Sequence, residues 1–446
     1  MAARVRNRDI SPLDLVKAHL DRIERVNPAI NAFTAVMAEQ AVARARACEK
    51  SPLLPLHGVP VTVKDSFDVR GFPTLSGSRF RLGHIADRDA NAVSRLSAAG
   101  AIILGKTNVP ELLSSYETDN FVTGPTLNPW NPARTPGGSS GGEAAAIAAR
   151  CSPGGLASDG GGSIRIPAHF CGIAGFKPTH RIIGGGGQFP PSLPPSGLMS
   201  APGPMARTVA DVRLLFKALQ GLDDRDSLSV PGSAAPSHPR VGLLRRFYQT
   251  PVDPAISSAL DRAARGLEQC GCEVEEFSLE GLERAPNLWA FFFGELGSYG
   301  ARDFLAGRES EAHWTATENL RDTPPLDARK VVEQFSERER LRALALDQMR
   351  RCPVLLMPPA SIPAFPNRER RFSIGEQSIG LFAAMALSTI WNLLGFPSLV
   401  LPFGTTPDGL PVGIQLVGRP FEDETVLRLG ERLEEERGPF PAPPDF

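Results

Sequence analysis

The chain of 446 residues has no run of 18 apolar residues, so no transmembrane helix is expected. Three arginines in the first eight residues lead into a charged helix rather than an apolar stretch, so the chain reads as soluble, unprocessed and cytoplasmic. Cysteine is sparse: six residues, at 48, 151, 171, 270, 272 and 352, are too scattered for a disulfide framework and read as thiols in a reducing compartment. The one close pair, Cys270 and Cys272, lacks the second pair or histidine cluster that a metal site needs. Charge of neither sign is in excess, with a formal net charge of -1 and 22% charged residues, so no polyanion-binding surface is indicated and nucleic acid is not expected as a partner. HExxH, GxxxxGK[ST] and a strand-to-helix GxGxxG are also missing, which removes the zinc-peptidase, P-loop and dinucleotide readings. Neither a metal nor a cofactor is expected.

What is present is an alternation of short apolar runs with amphipathic helices. Ser11-Pro12-Leu13-Asp14 supplies a cap, a proline at the first helical position and an acid in the first turn. A second helix is expected over 37–48. VPVTV at 59–63, a helix near 90–99 and AIILG at 101–105 give strand, helix, strand, which argues for α/β architecture. Further helices are expected from Glu143, over 209–221, over 254–269 and over 423–437, the last as a solvated face. Strands are expected at 241–244, 272–279 and 353–359, with a hairpin closed by Pro407-Asp408-Gly409, and 222–238 reads as a surface loop. The fold class is therefore a single large α/β domain, 1–446, with a mixed β-sheet core flanked by helices. Its chemistry is expected in 55–220, and the helical segment 285–350, carrying FFFG at 291–294, is expected beside the substrate entrance.

TPGGSSGGEAAAIAAR at 135–150 satisfies G-x-S-x-G twice, on Ser139 and on Ser140. A nucleophile elbow needs a strand just before it, and Pro129, Pro132 and Pro136 forbid one. In ASDGGGSIRIP at 157–167, the three glycines let successive backbone N–H groups turn toward one point, which makes Gly160, Gly161 and Gly162 an oxyanion-hole candidate beside Ser163. A serine nucleophile needs a base, and Lys64, at the end of an apolar strand, is a lysine that burial could neutralise.

VPVTVKD, TPGGSSGGEAAAIAA and ASDGGGSIRIPAHFCGIAGFKPT, in that order and spacing, resemble the amidase signature family, serine hydrolases with a Ser-Ser-Lys triad. The resemblance continues through GPMARTVADVRLL and WNLLGFPSLVLPFGTTPDGLPVGIQLVGRPF, and is weakest from about 225 to 350. It implies Ser163 as the acyl-forming nucleophile, Ser139 as a bridging serine after a cis Gly138-Ser139 bond, and Lys64 as the base. Asp159 and Arg165 would pair across the glycine loop and Ser140 would support the relay. Gly160 departs from the family, where Thr or Ile is common, and loosens the backbone of the loop.

For substrate, the resemblance implies that Leu112, Leu113 and Ser114 line the acyl site. Amidotransferase relatives carry an acid where this chain has Met385, so Ile390 and Trp391, which follow, are expected to give the site an apolar lining. The expected activity is hydrolysis of a carboxylic amide with an apolar acyl or aryl group, by a stand-alone chain whose partner is this small molecule, with a homodimer possible and no nucleic acid. The alternative is a glutamine-dependent amidotransferase subunit that works with partner subunits on aminoacyl-tRNA.

Overall fold

In the computed structural model, which describes residues 1–48, 53–191, 196–232 and 239–444, the apolar runs gather into one sheet. Its strands are β1 (Phe33–Val36), β2 (Pro60–Lys64), β3 (Ile102–Thr107), β4 (Gly154–Asp159), β5 (Ala174–Lys177), β6 (Ala201–Ala206), β7 (Val241–Leu243), β8 (Val274–Glu276), β9 (Val354–Met357), β12 (Ser398–Thr405) and β13 (Pro411–Gly418). β10 (Arg371–Ile374) and β11 (Gln377–Gly380) form a separate hairpin. The spatial order is β1-β3-β2-β4-β6-β5-β12-β13-β9-β7-β8. Pairing is parallel for β2 with β3 and β4 and for β7 with β8 and β9, and antiparallel elsewhere, so the sheet is mixed.

Both faces of the sheet are covered, and β12 shows how. Leu399 and Leu401 join Val209, Leu260 and Val426 from the helices Val209–Leu219, Pro254–Gln269 and Asp423–Arg437. Val400, pointing the other way, joins Ala144, Ile164 and Ala168 beside the helices Gly141–Ala148 and Arg165–Cys171. A strand buried on both faces reads as a continuous apolar run, which is why SLVLPF is legible as a strand. The opening helix, Pro12–Ile30, starts as its cap predicts: Ser11 Oγ accepts from the Asp14 N–H at 3.0 Å. The expected loop at 222–238 is described only to residue 232, and residues 233–238 lie outside the described residues. The last helix is less solvated than expected, with Val426, Leu427 and Leu433 fully buried.

Three elements beside the glycine loop were not legible: β4, the helix Arg165–Cys171 and β6. β4 opens with two glycines, which carry no strand propensity, yet Gly155 is forced by space. A Cβ there would lie 2.2 Å from the Thr62 carbonyl oxygen and 2.2 Å from Glu143 Oε1. Gly155→Ala is expected to destabilise the fold by about 1–3 kcal/mol through overpacking, read as a lower denaturation midpoint with an unchanged m-value.

Candidate active site

Lys64 ends β2, where period-two alternation sends Val61 and Val63 into the core with Leu156 and Phe176. Thr62 and Lys64 therefore face the other way, toward the helix Gly141–Ala148. The Lys64 ammonium position is fully buried. Its Nζ lies 2.7 Å from Ser139 Oγ and donates to Ser158 Oγ at 3.1 Å and the Ser158 carbonyl at 3.2 Å. Asp65, the next residue, pairs with Lys106 at 2.7 Å instead. With no carboxylate in contact, burial pulls the Lys64 pKa down to about 7, against the opposing pull of Asp159 and Glu143. Glu143 sits behind the pair, its carboxylate accepting from Thr62 Oγ1 at 2.5 Å and Thr107 Oγ1 at 2.7 Å.

Ser139 follows a cis Gly138-Ser139 peptide bond, and Ser140 ends the turn as the cap residue of the helix Gly141–Ala148. The Ser140 N–H donates to the Ser163 carbonyl at 3.2 Å and its hydroxyl to the Ser158 carbonyl at 3.3 Å, tying the two serine loops together. Ser163 lines a cavity of about 740 Å³ together with Ser139, Ser158 and Gly160. Its hydroxyl makes no hydrogen bond among the described residues.

The glycine turn is organised by Asp159. Its carboxylate accepts from the N–H groups of Gly162 at 2.7 Å, Ile164 at 3.0 Å and Arg165 at 3.3 Å, and pairs with the Arg165 guanidinium at 3.0 Å. Burial alone would raise its pKa, but Arg165 and the hydrogen bonds hold it below the usual carboxylate range. Arg165 reaches on to the Ser388 carbonyl at 3.0 Å and Gln415 Oε1 at 2.9 Å, locking the turn to the helix Leu381–Leu394 and to β13. The expected trio of oxyanion donors is reduced by this arrangement. The Gly162 N–H is already given to Asp159, so of the three glycine amides only those of Gly160 and Gly161 have no partner among the described residues.

The substrate-side expectations divide. Leu112, Leu113 and Ser114 line the cavity. Ile390 and Trp391 do not: both are fully buried, and Trp391 Nε1 donates to Met357 Sδ at 3.2 Å behind the site. Met385 is likewise core. The helix Leu381–Leu394 is apolar on every side, so its pattern gives no clue to which face meets the cavity. The apolar lining comes instead from Phe293, Leu296, Phe304, Leu320 and Phe335, and among the described residues no charged side chain lines the cavity. Ser158, Tyr116 and Trp289 also belong to the site and were not expected in it. Tyr116 OH donates to the Gly161 carbonyl at 2.8 Å, and Trp289 Nε1 to the Gly160 carbonyl at 2.8 Å. Their partners lie 45 and 129 residues away in sequence, so spacing carried no signal.

A mixed sheet with a buried lysine against one serine, and a second serine on an amide-rich turn facing a cavity, defines an α/β protein arranged for acyl transfer to a serine. The chain belongs to the amidase signature family: the Amidase family model matches residues 14–427. It is 34% identical to the A-subunit of the glutamyl-tRNA(Gln) amidotransferase of Methylococcus capsulatus, over 98% of this chain and 96% of that protein. Among solved structures it is similar to 6-aminohexanoate cyclic dimer hydrolase complexed with substrate (TM-score 0.88, 28% identity, 99% and 97% of the two chains). It is also similar to a chain in the inhibitor-bound structure of a vestigial protein complex that reveals the evolutionary origins of an s-triazine catabolic enzyme (TM-score 0.88, 29% identity, 97% of each).

These relatives overturn the expectation of a stand-alone chain that meets a small-molecule amide and no nucleic acid. The curated ones are subunits of enzymes named for a tRNA. Net charge is a sum over one chain, so it carries no information on whether that chain works beside others. Among the described residues no helix is long and apolar enough to cross a membrane.

Proposed function

We propose that this chain is the amide-cleaving member of an assembly of the glutamyl-tRNA(Gln) amidotransferase kind, releasing ammonia from a carboxamide through an acyl-enzyme on Ser163. What carries the reading is the 2.7 Å contact between Lys64 and Ser139 at a cavity that Ser163 also lines. Its support is 34% identity to the Methylococcus protein along nearly the whole chain. Neutral Lys64 takes a proton from Ser139 as Ser139 takes one from Ser163, whose oxygen attacks the amide carbon. The amides of Gly160, Gly161 and Ser163 hold the resulting oxyanion, the relay runs back to protonate the departing nitrogen, and water or another acceptor then releases the acyl group by the same path. Asp159, Arg165 and Ser140 hold the two loops in register. The segment 55–220 supplies this machinery and 285–350 shapes the entrance. The six cysteines form no disulfide, which supports a cytoplasmic chain.

A second reading concerns the acyl group alone. A lining of Phe, Leu and Val, with no charged side chain among the described residues, fits an apolar acyl or aryl amide better than the charged ends of glutamine. Ammonia release from glutamine and from hexanamide, each with and without the partner subunits of the Methylococcus enzyme, separates the two. Release from glutamine that rises with the partners supports the first. Release from hexanamide with none from glutamine overturns it in favour of the second, and release from neither removes both.

A further inference from the structure

The peptide between Gly160 and Gly161 differs from its neighbour in how it is held. A planar trans peptide points its C=O and the following N–H in opposite directions, so fixing one aims the other. In the Gly161–Gly162 unit both ends are fixed: Tyr116 OH holds the carbonyl at 2.8 Å and Asp159 Oδ1 holds the N–H at 2.7 Å. In the Gly160–Gly161 unit only the carbonyl is fixed, by Trp289 Nε1 at 2.8 Å, and the Gly161 N–H is left without a partner among the described residues. The free amide beside Ser163 is thus aimed by one indole.

That indole is also one half of an aromatic shelf. Trp289 and Phe293 stack with ring centroids 4.8 Å apart and planes 13° from parallel. Trp289 lies on the helix Ala285–Ala290 and Phe293 on the single π-helical turn Phe291–Leu296 that continues it; such wide turns recur at functional sites. The shelf lies directly on the glycine turn. A Cβ at residue 161 would fall 2.4 Å from Trp289, and one at residue 160 would fall 3.0 Å from Phe293. The unusual Gly160 is therefore matched to this shelf: the ring takes the room that a Thr or Ile side chain would need. Phe293 borders the apolar cavity on its other side, alongside Gly160 and Ser163.

We infer that Trp289 is a positioning residue that aims the Gly161 amide at the oxyanion, and that the Phe293–Trp289 stack links this aim to what fills the apolar cavity. The inference rests on the reading of Ser163 as the acylated residue and on the apolar acyl group of the second reading above. An acyl group packed on Phe293 steadies the stack, and the indole steadies the donor, so contact made far from the reacting carbon is spent on the transition state. Leu or Ala in the place of Phe293 would leave the indole hydrogen bond unsupported from the cavity side.

The test is a series of straight-chain amides from acetamide to octanamide, assayed with the wild-type chain and with Trp289→Phe, which keeps an aromatic ring and loses the N–H. Wild type is expected to show kcat rising with chain length. Trp289→Phe is expected to lower kcat on the longer amides about ten- to a hundredfold with KM within about twofold, and to flatten the dependence on length, since a misaimed donor loses part of what a deleted one loses. Phe293→Ala should lower kcat on the longer amides and flatten the dependence on length in the same direction as Trp289→Phe. If Trp289→Phe fails to fold, β-(benzothienyl)alanine placed at position 289 keeps the bicyclic shape and removes only the donor. Equal kcat and equal length dependence in wild type and either variant overturns the inference, as does a change confined to KM. Labelling by a fluorophosphonate, located by peptide mass, keeps the two failures apart. Adducts on Ser163 in both proteins with unchanged kinetics sink only the role of Trp289, whereas adducts on another residue sink the reading of the site itself.

Discussion

Ser163→Ala is expected to lower amide turnover by about 10⁴-fold or more and to abolish labelling by a fluorophosphonate, while the thermal midpoint stays within a few degrees of wild type. Three serines compete for the nucleophile's role, and their surroundings differ. Ser139 is 1% exposed and its oxygen is committed to Lys64 at 2.7 Å; Ser158 is 3% exposed and bound to the same nitrogen. Ser163 borders the cavity with no hydrogen bond on its hydroxyl among the described residues, and Gly160, whose amide has no partner among them, borders it too. On the proposed mechanism this is where an attacking oxygen and an oxyanion donor meet one carbonyl group. Ser139→Ala is expected to lose turnover as well but to keep slow labelling on Ser163, because it breaks the proton path and leaves the attacking atom in place. An adduct that persists at full yield in Ser163→Ala would move the nucleophile to Ser139 or Ser158.

How far the sequence carried depends on the range over which each constraint acts. Lys64 was legible because a lysine closing VPVTV must be buried, a fact local to five residues. The turn at 157–167 was legible only through three motifs in register, since three glycines in a row suit an ordinary loop equally well. β4 and β6 were not. Gly154 and Gly155 look like breakers until Thr62 and Glu143 are seen to occupy the space a side chain would need. Pro202 and Pro204 argue against an interior strand, yet they stand two apart, so their missing N–H groups fall on one edge of β6, and β5 pairs only with Met205 and Ala206. The substrate side was misread for the opposite reason. A helix as apolar as LFAAMALSTIWNLL offers no polar stripe to orient it, so Ile390 and Trp391 were assigned to the cavity when they belong to the core behind it. Part of the lining came from Phe293 of FFFG, whose place over the glycine turn depends on a π-helical turn that no short-range pattern announces.

Lys64 carries the other large effect. Its pKa, brought to about 7 chiefly by burial, leaves roughly half of the amine neutral at neutral pH, and in the proposed relay the neutral form is the base. As pH falls below about 7 the amine gains a proton and can no longer accept one from Ser139. The rate is therefore expected to fall about tenfold per unit on the acid side and to level off above about 8. Lys64→Ala should remove turnover and the acid limb together. Lys64→Arg is the sharper variant, since a guanidinium stays charged at every accessible pH and cannot serve as a base. If Lys64 acted only as a cation that steadies the serines, the arginine variant would keep much of the activity and the wild-type rate would rise as pH falls. The relay reading requires the reverse on both counts, with the arginine variant as inactive as alanine. The folded protein holds Lys64 neutral between about pH 7 and the ordinary lysine value, whereas the unfolded chain holds it charged, so stability rises with pH across that window. Denaturant titrations of wild type and Lys64→Met at pH 7 and pH 10 should show the wild type gaining ground on the variant as pH rises, and a gap that stays constant would mean that the amine is charged in the folded chain.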